Sequence, residues 1–441
     1  MENPLVIEHR DSLIYLLCEA AELEHAICCQ YLFATFSLKR STDEGLTERQ
    51  HRAVERWRKV ITEIATEEML HFALVNNLLT SVGAAPRVGR PNFPQLGRYY
   101  APGVQLALLP FGERAMRHFL YLERPEGINL PDAEGFETAH EAEPLMSEED
   151  IVPRPQDFAT VGHLYRAIED GFEHLAERHG EEWLFIGDAD AQATPETFRW
   201  PALVPVTDLK SASQAIDTIV EQGEGPRGHW RDAHYGRLLE VMGEYLTMRR
   251  EDTSFEPARP VVPAAVRRPR DTEVEHLVTD PHTRRVVDAF NVSYEILLQT
   301  LARFFAHGHE DEKQLNTLAD LAVLMMIEVI NPLGEEITLL PVGPEYPGRT
   351  AGPSFEVFYG SGYLLPHTRQ AWILIHERIV ELRAFIEGMV ARTRSTPALE
   401  KVAVTLGRLA NMVANGMPGL PDRKVTPPKA WVSPSPSPDS S

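Results

Sequence analysis

The stretch that most restricts what this chain can become is residues 61–82, ITEIATEEMLHFALVNNLLTSV. At about 100° of rotation per residue, Ile61, Ile64, Phe72, Val75, Leu79 and Val82 fall on one helical face. Glu68 and His71 fall in the middle of that face, while Glu63 and Glu67 point away from it. A carboxylate and an imidazole on an apolar stripe each cost on the order of several kcal/mol unless something pairs with them. A metal ion would do so. One Glu on one helix facing Glu-x-x-His on another is the di-iron carboxylate pattern of helix bundles. The alternative is a hydrogen-bonded core histidine beside a salt-bridged glutamate.

The chain before this stretch supplies a partner for it. Residues 8–40 read as one long helix on which Leu13, Leu17, Ala20, Cys28, Tyr31, Thr35 and Leu38 share a face. Glu24 sits at the centre of that stripe and Glu22 opposite it. The other reading of Glu24 is a hydrogen bond to Tyr31 or to a neighbouring helix. Thr47-Glu48-Arg49-Gln50 is a capping-box start for the second helix, which runs to Val82 and stops at Gly83 and Pro86. Two long helices joined by a short loop make half of a bundle.

Residues 84–110, with Pro86, Pro91, Pro94, Pro102 and Pro110, read as an ordered excursion over the bundle. A short helix over 112–123 follows, then a polar loop to Gln156 whose acidic run (Glu141, Glu143, Glu148, Glu149, Asp150) reads as solvated. The third helix spans 160–178, with Tyr165, Ile168, Phe172 and Ala176 on its apolar side. Glu169 at the edge of that side is either a ligand or an exposed helix residue. The fourth helix starts at 211–222 and is interrupted by GEGPRG, residues 223–228, which cannot continue a regular helix. Its second piece, to Arg249, centres His234 on the stripe Trp230, Leu238, Val241, Tyr245 and Met248. Glu221 lies nearly opposite the apolar side formed by Ala212, Ala215, Ile216 and Ile219, so periodicity alone does not make it a core ligand.

The Pro- and Arg-rich segment 256–271 divides an N-terminal unit (1–255, with an insertion at 84–157) from a second helical unit at 272–417. That unit reads as four helices over 284–307, 314–330, 367–392 and 399–414. Glu328 and His376 read there as structural, and His307-Gly308-His309 as a loop. Residues 418–441, ending VSPSPSPDSS, have the composition of a disordered tail.

Composition narrows the partners. The chain has 441 residues, 43% of them hydrophobic, and Lys+Arg of 43 against Asp+Glu of 65 gives a formal charge of −22. Such an excess argues against nucleic acid or an anionic membrane as partner. Cys18, Cys28 and Cys29 all lie in the first helix, and adjacent Cys28 and Cys29 point to different faces. A reducing, cytoplasmic setting is expected. No signal peptide is evident, and no run nears 18 uninterrupted apolar residues, so no transmembrane helix is expected. The sequence shows no GxGxxG, P-loop, CxxC or G-x-S-x-G.

Taken in order, AELEHAICCQYL, IATEEMLHFALVNNLLTSVGAAPR, LYRAIEDG and VTDLKSASQAIDTIVEQGEG resemble the ferritin-like domain of the iminophenyl-pyruvate dimer synthases, enzymes of bisindole and indolocarbazole biosynthesis. The resemblance covers about residues 8–250, and AGPSFEVFYG at 351–360 extends it to the second unit. The dimer synthases proper are longer, multidomain chains, and here the second Glu-x-x-His is absent as a contiguous motif. The resemblance implies an all-α ferritin-like four-helix bundle with a broken fourth helix. It further implies a di-iron or Fe/Mn carboxylate oxidase or oxygenase acting with O₂ on a small, amino-acid-derived molecule. Glu24, Glu68 and His71 would hold one ion, and Glu169, Glu221 and His234 the other across the glycine break. Tyr31 would serve as a hydrogen-bond or redox partner. The alternative function is an iron-binding or structural ferritin-like protein without turnover, and homo-oligomerisation stays open.

Overall fold

The computed structural model describes residues 5–95, 105–136, 147, 149–225, 229–268, 274–358, 367–391 and 395–421. Glu141, Glu143, Glu148, the glycine-break residues 226–228 and the tail from 422 lie outside them. Among the described residues are thirteen α-helices, three short 3₁₀ turns, one π-helical turn and one two-residue strand pair. The long antiparallel pair is α1 (Arg10–Ser37) and α2 (Glu48–Ser81). The cap expected for α2 is present: the Thr47 side chain accepts from the Gln50 N–H, and the Gln50 side chain accepts from the Thr47 N–H. The helix ends at Val82, and Gly83 takes a left-handed φ of 81° that suits glycine.

Across this pair lie α4 (Val161–His179) and α7 (Leu209–Gly223), with α8 (His234–Glu251) completing the fourth side. The glycine-rich break is real, since α7 and α8 are separate helices joined through a short 3₁₀ turn, Trp230–Asp232. Helix α3 (Glu113–Leu122) packs against α8. Two single-turn helices, α5 (Glu181–Leu184) and α6 (Pro195–Phe198), sit in the connection between α4 and α7.

The second helical set is α9 (Pro281–Phe305), α10 (Glu312–Met325), α11 (Asn331–Ile337), α12 (Thr368–Val390) and α13 (Pro397–Gly416). It packs directly on the bundle through α1, and buried apolar side chains of both sets form one continuous core. This is why α1 is buried all round: Glu19, Glu22, Glu24, His25 and Gln30 point in different directions, yet all are buried. The segment between the sets is packed as well. Its strand β1 (Val261–Val262) pairs in parallel with β2 (Thr350–Ala351), and Arg259 is buried against Glu44 and Thr338.

Helices α10 and α11 are joined by a π-helical turn at Met326–Ile330. The continuous stretch Glu312–Ile337 is long and apolar enough to cross a membrane by composition, with a mean hydropathy of 1.5, although half of its apolar window is buried within the protein. Leu318, Leu321, Ala322 and Met325 of that stretch pack in the core against α9 and α13, as in the core helix of a helical bundle.

Candidate metal centre

Five side chains converge in the bundle interior. Helix α1 contributes Glu24, and one turn of α2 contributes Glu68 and His71, whose i, i+3 spacing puts them on the same face. Helix α8 contributes His234, its first residue, and the residue capping the C-terminus of α3 contributes Glu123. Their donor atoms form two groups close enough to hold an ion each: Glu24, Glu68 and His71, and Glu68, Glu123 and His234. Glu68 belongs to both. Its Oε2 lies 3.1 Å from His71 Nδ1, and its Oε1 lies 2.9 Å from His234 Nδ1. Glu24 Oε2 is 3.4 Å from His71 Nδ1 and Glu123 Oε2 is 3.5 Å from His234 Nδ1. The two imidazoles lie nearly parallel, with centroids 5.5 Å apart.

All five residues are buried, and their electrostatics show what the arrangement costs. Burial, reinforced by the neighbouring Glu68, pushes the Glu24 carboxyl up to about 7. Burial alone would lower His71, but Glu68 and Glu24 outweigh it and raise the imidazole to about 10. His234 is raised in the same way against its burial, by Glu68 and Glu123. Burial works against the charged form of Glu68 too, yet His234 holds that carboxyl below its usual value. The cluster therefore satisfies its carboxylates by retaining protons, which a cation would displace. One contact fits a cation better than a proton. Buried His234 Nδ1 comes within 2.9 Å of Glu68 Oε1, yet among the described residues no acceptor lies in line with it for a well-aligned hydrogen bond. A ring nitrogen and carboxylate oxygens converging without a hydrogen bond are what a metal ion uses, and this N/O donor set suits iron and manganese as well as zinc.

A second set of residues holds these five. The Tyr165 hydroxyl donates to Glu24 Oε1 at 2.5 Å, and the Tyr31 hydroxyl donates to Glu123 Oε1. Burial first, and then the adjacent carboxylates, raise both phenols well above their ordinary value, so they stay protonated as donors. On the outer side of the imidazoles, His71 Nε2 meets Gln222 Oε1 at 2.9 Å, and His234 Nε2 meets Glu67 Oε2 at 2.9 Å. Beside the cluster a cavity is walled by Ile27, Leu122, Ile219 and Val220, with Glu224 at one side. Glu224 accepts from the Gly162 N–H at 3.0 Å, and any Cβ at position 162 would fall 2.1 Å from its Oε1. A side chain at position 162 would have to displace that carboxylate.

The structure brings Glu24, Glu68, His71 and His234 together, and Tyr31 reaches the centre through Glu123 rather than Glu24. Glu169 and Glu221 lie outside both groups. Helix α7 stays regular through Gly223, so nothing turns Glu221 inward, and it is exposed opposite Ala212, Ala215, Ile216 and Ile219. The residue after it, Gln222, is the one that reaches His71. Glu169 is half-buried, hydrogen-bonded to Ser213 of α7 and raised by burial. Glu123 was missed because it caps a short helix outside the four-helix pattern. The signal was nonetheless there: Met116, Phe119, Leu120 and Glu123 follow i, i+3, i+4, i+7 spacing on a buried face. Glu67 leaves the α2 stripe, as its helical position predicts, but α8 brings His234 to it.

With this geometry in view, the family follows. The ferritin-like family profile matches residues 17–242, which hold every residue of the centre, and the chain belongs to that family. Over 80% of its length it is homologous to two curated enzymes: dichlorochromopyrrolate synthase of Lentzea aerocolonigenes, at 29% identity, and 2-imino-3-(indol-3-yl)propanoate dimerase of Chromobacterium violaceum, at 27%. The match covers 36% and 34% of those two proteins, so the chain spans about a third of their length. Among solved structures, a ferritin-like protein from Caulobacter vibrioides matches 69% of this chain and 89% of its own at 18% identity, with a TM-score of 0.44.

Proposed function

We propose that this chain is a two-metal ferritin-like oxidoreductase acting with O₂ on a small, amino-acid-derived molecule in specialised-metabolite biosynthesis. The observation that carries the reading is Glu68, a buried carboxylate shared by two Glu/His groups in a bundle interior. The substrate class is supported by the relatives, one named for dimerising 2-imino-3-(indol-3-yl)propanoate and the other for forming dichlorochromopyrrolate. Iron or manganese, when bound, supplies the redox chemistry with O₂.

The chain's own residues do the rest. Glu24, Glu68 and His71 would hold one ion and Glu68, Glu123 and His234 the other, so Glu123 takes the place expected for Glu169 and Glu221. Tyr165 and Tyr31 fix the outer carboxylates of Glu24 and Glu123. Ile27, Leu122, Ile219 and Val220 keep bulk water from the cavity. Oxidising an amine or imine releases protons with its electrons, and O₂ reduction takes protons up. Glu224, raised by burial and linked to Arg166 and the Glu126 N–H, is placed to carry them between cavity and surface.

The test is metal analysis after anaerobic reconstitution with Fe(II) or Mn(II), followed by oxygen uptake with 2-imino acids, the indole compound among them. About two ions per chain and substrate-dependent uptake are expected. Metal without uptake would favour an iron-binding protein lacking turnover. No metal in the wild-type protein overturns both.

A further inference from the structure

The two halves of the centre look alike from inside and differ from outside. Each has a glutamate fixed by a tyrosine, a share of Glu68, and a histidine presenting Nδ1 inward. An ion on Nδ1 leaves the proton on Nε2, and what accepts that proton is not the same in the two halves. For His71 it is the neutral amide oxygen of Gln222, at 2.9 Å. For His234 it is a carboxylate, Glu67 Oε2, also at 2.9 Å and itself held by Arg237 at 2.6 Å. Glu67 and Glu68 are neighbours on α2 and grip the two nitrogens of one ring, Glu68 from the inside and Glu67 from the outside.

We infer that the two metal positions are unequal, and that Glu67 makes the His234 position the tighter one. A carboxylate behind a ligating imidazole draws its remaining proton, raises the basicity of the inner nitrogen and fixes the ring plane, whereas an amide does so only weakly. Outer partners of this kind change metal affinity by roughly 10- to 100-fold. The inequality is therefore a property of two residues that touch no metal, Glu67 and Gln222. It rests on the two-metal reading above and goes beyond it by ranking the positions. Glu67 is a positioning residue here, acting through His234.

The test is an anaerobic titration of the chelator-stripped full chain with Co(II), followed by visible absorption and by calorimetry. Wild type should take up Co(II) in two resolved steps, with affinities about 10- to 100-fold apart. Glu67→Gln keeps the side-chain shape and should weaken the first step by about that factor, merging the two. Gln222→Glu places a carboxylate behind His71 and should strengthen the second step instead, so one variant moves each step. Circular dichroism and the melting temperature of the stripped proteins report whether either variant has lost its fold. A single wild-type step of two equal sites overturns the inference while leaving the two-metal centre standing. Two steps that neither variant moves overturn it equally. No Co(II) uptake at all overturns the two-metal reading, and the ranking with it.

Discussion

The metal centre and the C-terminal helical set bury acidic residues in opposite ways. In the C-terminal set each buried carboxylate carries its own answer. Glu310 is bonded to Arg303 at 2.6 Å and to Trp372, Glu295 is paired with Arg378, and Glu356 accepts from the Val266 N–H, Asn291 and Ser354. In the metal centre, Glu24, Glu68 and Glu123 face imidazoles, phenols and one another, and among the described residues no arginine or lysine is bonded to them. Self-satisfied charges hold a fold together, and charges left for an outside cation mark a site. The sharpest break of this comparison is Glu68→Ala. It removes the one residue common to both groups and should lower bound metal from about two ions to near none, read by metal analysis of the reconstituted protein. Retention of both ions would show that the bundle carboxylates serve the fold as those of the C-terminal set do.

The converse substitution is Glu310→Ala, which strands a buried guanidinium. Breaking such a pair costs about 3–5 kcal/mol, seen as a lower denaturation midpoint, and metal content should not change. The same pair sets an acid limit on stability. Burial opposes the charged Glu310, but Arg303, the Gly308 N–H and Trp372 outweigh it and hold the carboxyl at about 2, below the ordinary 4.5. The folded protein thus binds fewer protons here than the unfolded chain. The stabilisation is complete above about pH 4.5 and is lost as pH falls toward 2. Urea midpoints measured from pH 5 downward should fall in wild type and fall less steeply in Glu310→Gln; parallel slopes would remove this pair from the account.

How much of this was legible in the residues depends on how local the cause is. The capping box at Thr47, the stop at Gly83 and the break after Gly223 are local chemistry and appear where the sequence puts them. Glu24, Glu68, His71 and His234 were legible because each interrupts an apolar stripe. Glu221 shows the limit of family likeness: the helical period set it on the polar side, and with α7 regular through Gly223 the period prevails. Glu67 and Gln222 were not legible, because each meets its histidine across a helix–helix contact that periodicity on one helix does not describe. The same holds for α1, whose burial on every side depends on a second helical set that its own sequence does not announce. Segment 256–271 has the proline and arginine content of a linker, and the packing of its described part comes from long-range pairs such as Arg259 with Glu44.

The smallest expected effect concerns the tyrosines, and it asks whether the halves of the centre can be disturbed separately. Tyr165→Phe removes the hydroxyl that donates to Glu24 and leaves the ring to fill the same buried space. A hydrogen bond to a charged group is worth about 1.5–3 kcal/mol, but a bound cation takes over part of the work of stabilising the carboxylate. The loss should therefore be near the lower end, about tenfold in affinity, and confined to the Glu24/His71 position. Tyr31→Phe should weaken the Glu123/His234 position instead, since its hydroxyl donates there. Titrating both variants with Co(II) under the conditions used for Glu67→Gln gives four affinities to compare with the wild-type pair. If each phenol moves only its own position, the centre behaves as two ligand sets joined at Glu68. If either moves both equally, Glu68 couples the positions so strongly that the centre responds as one unit.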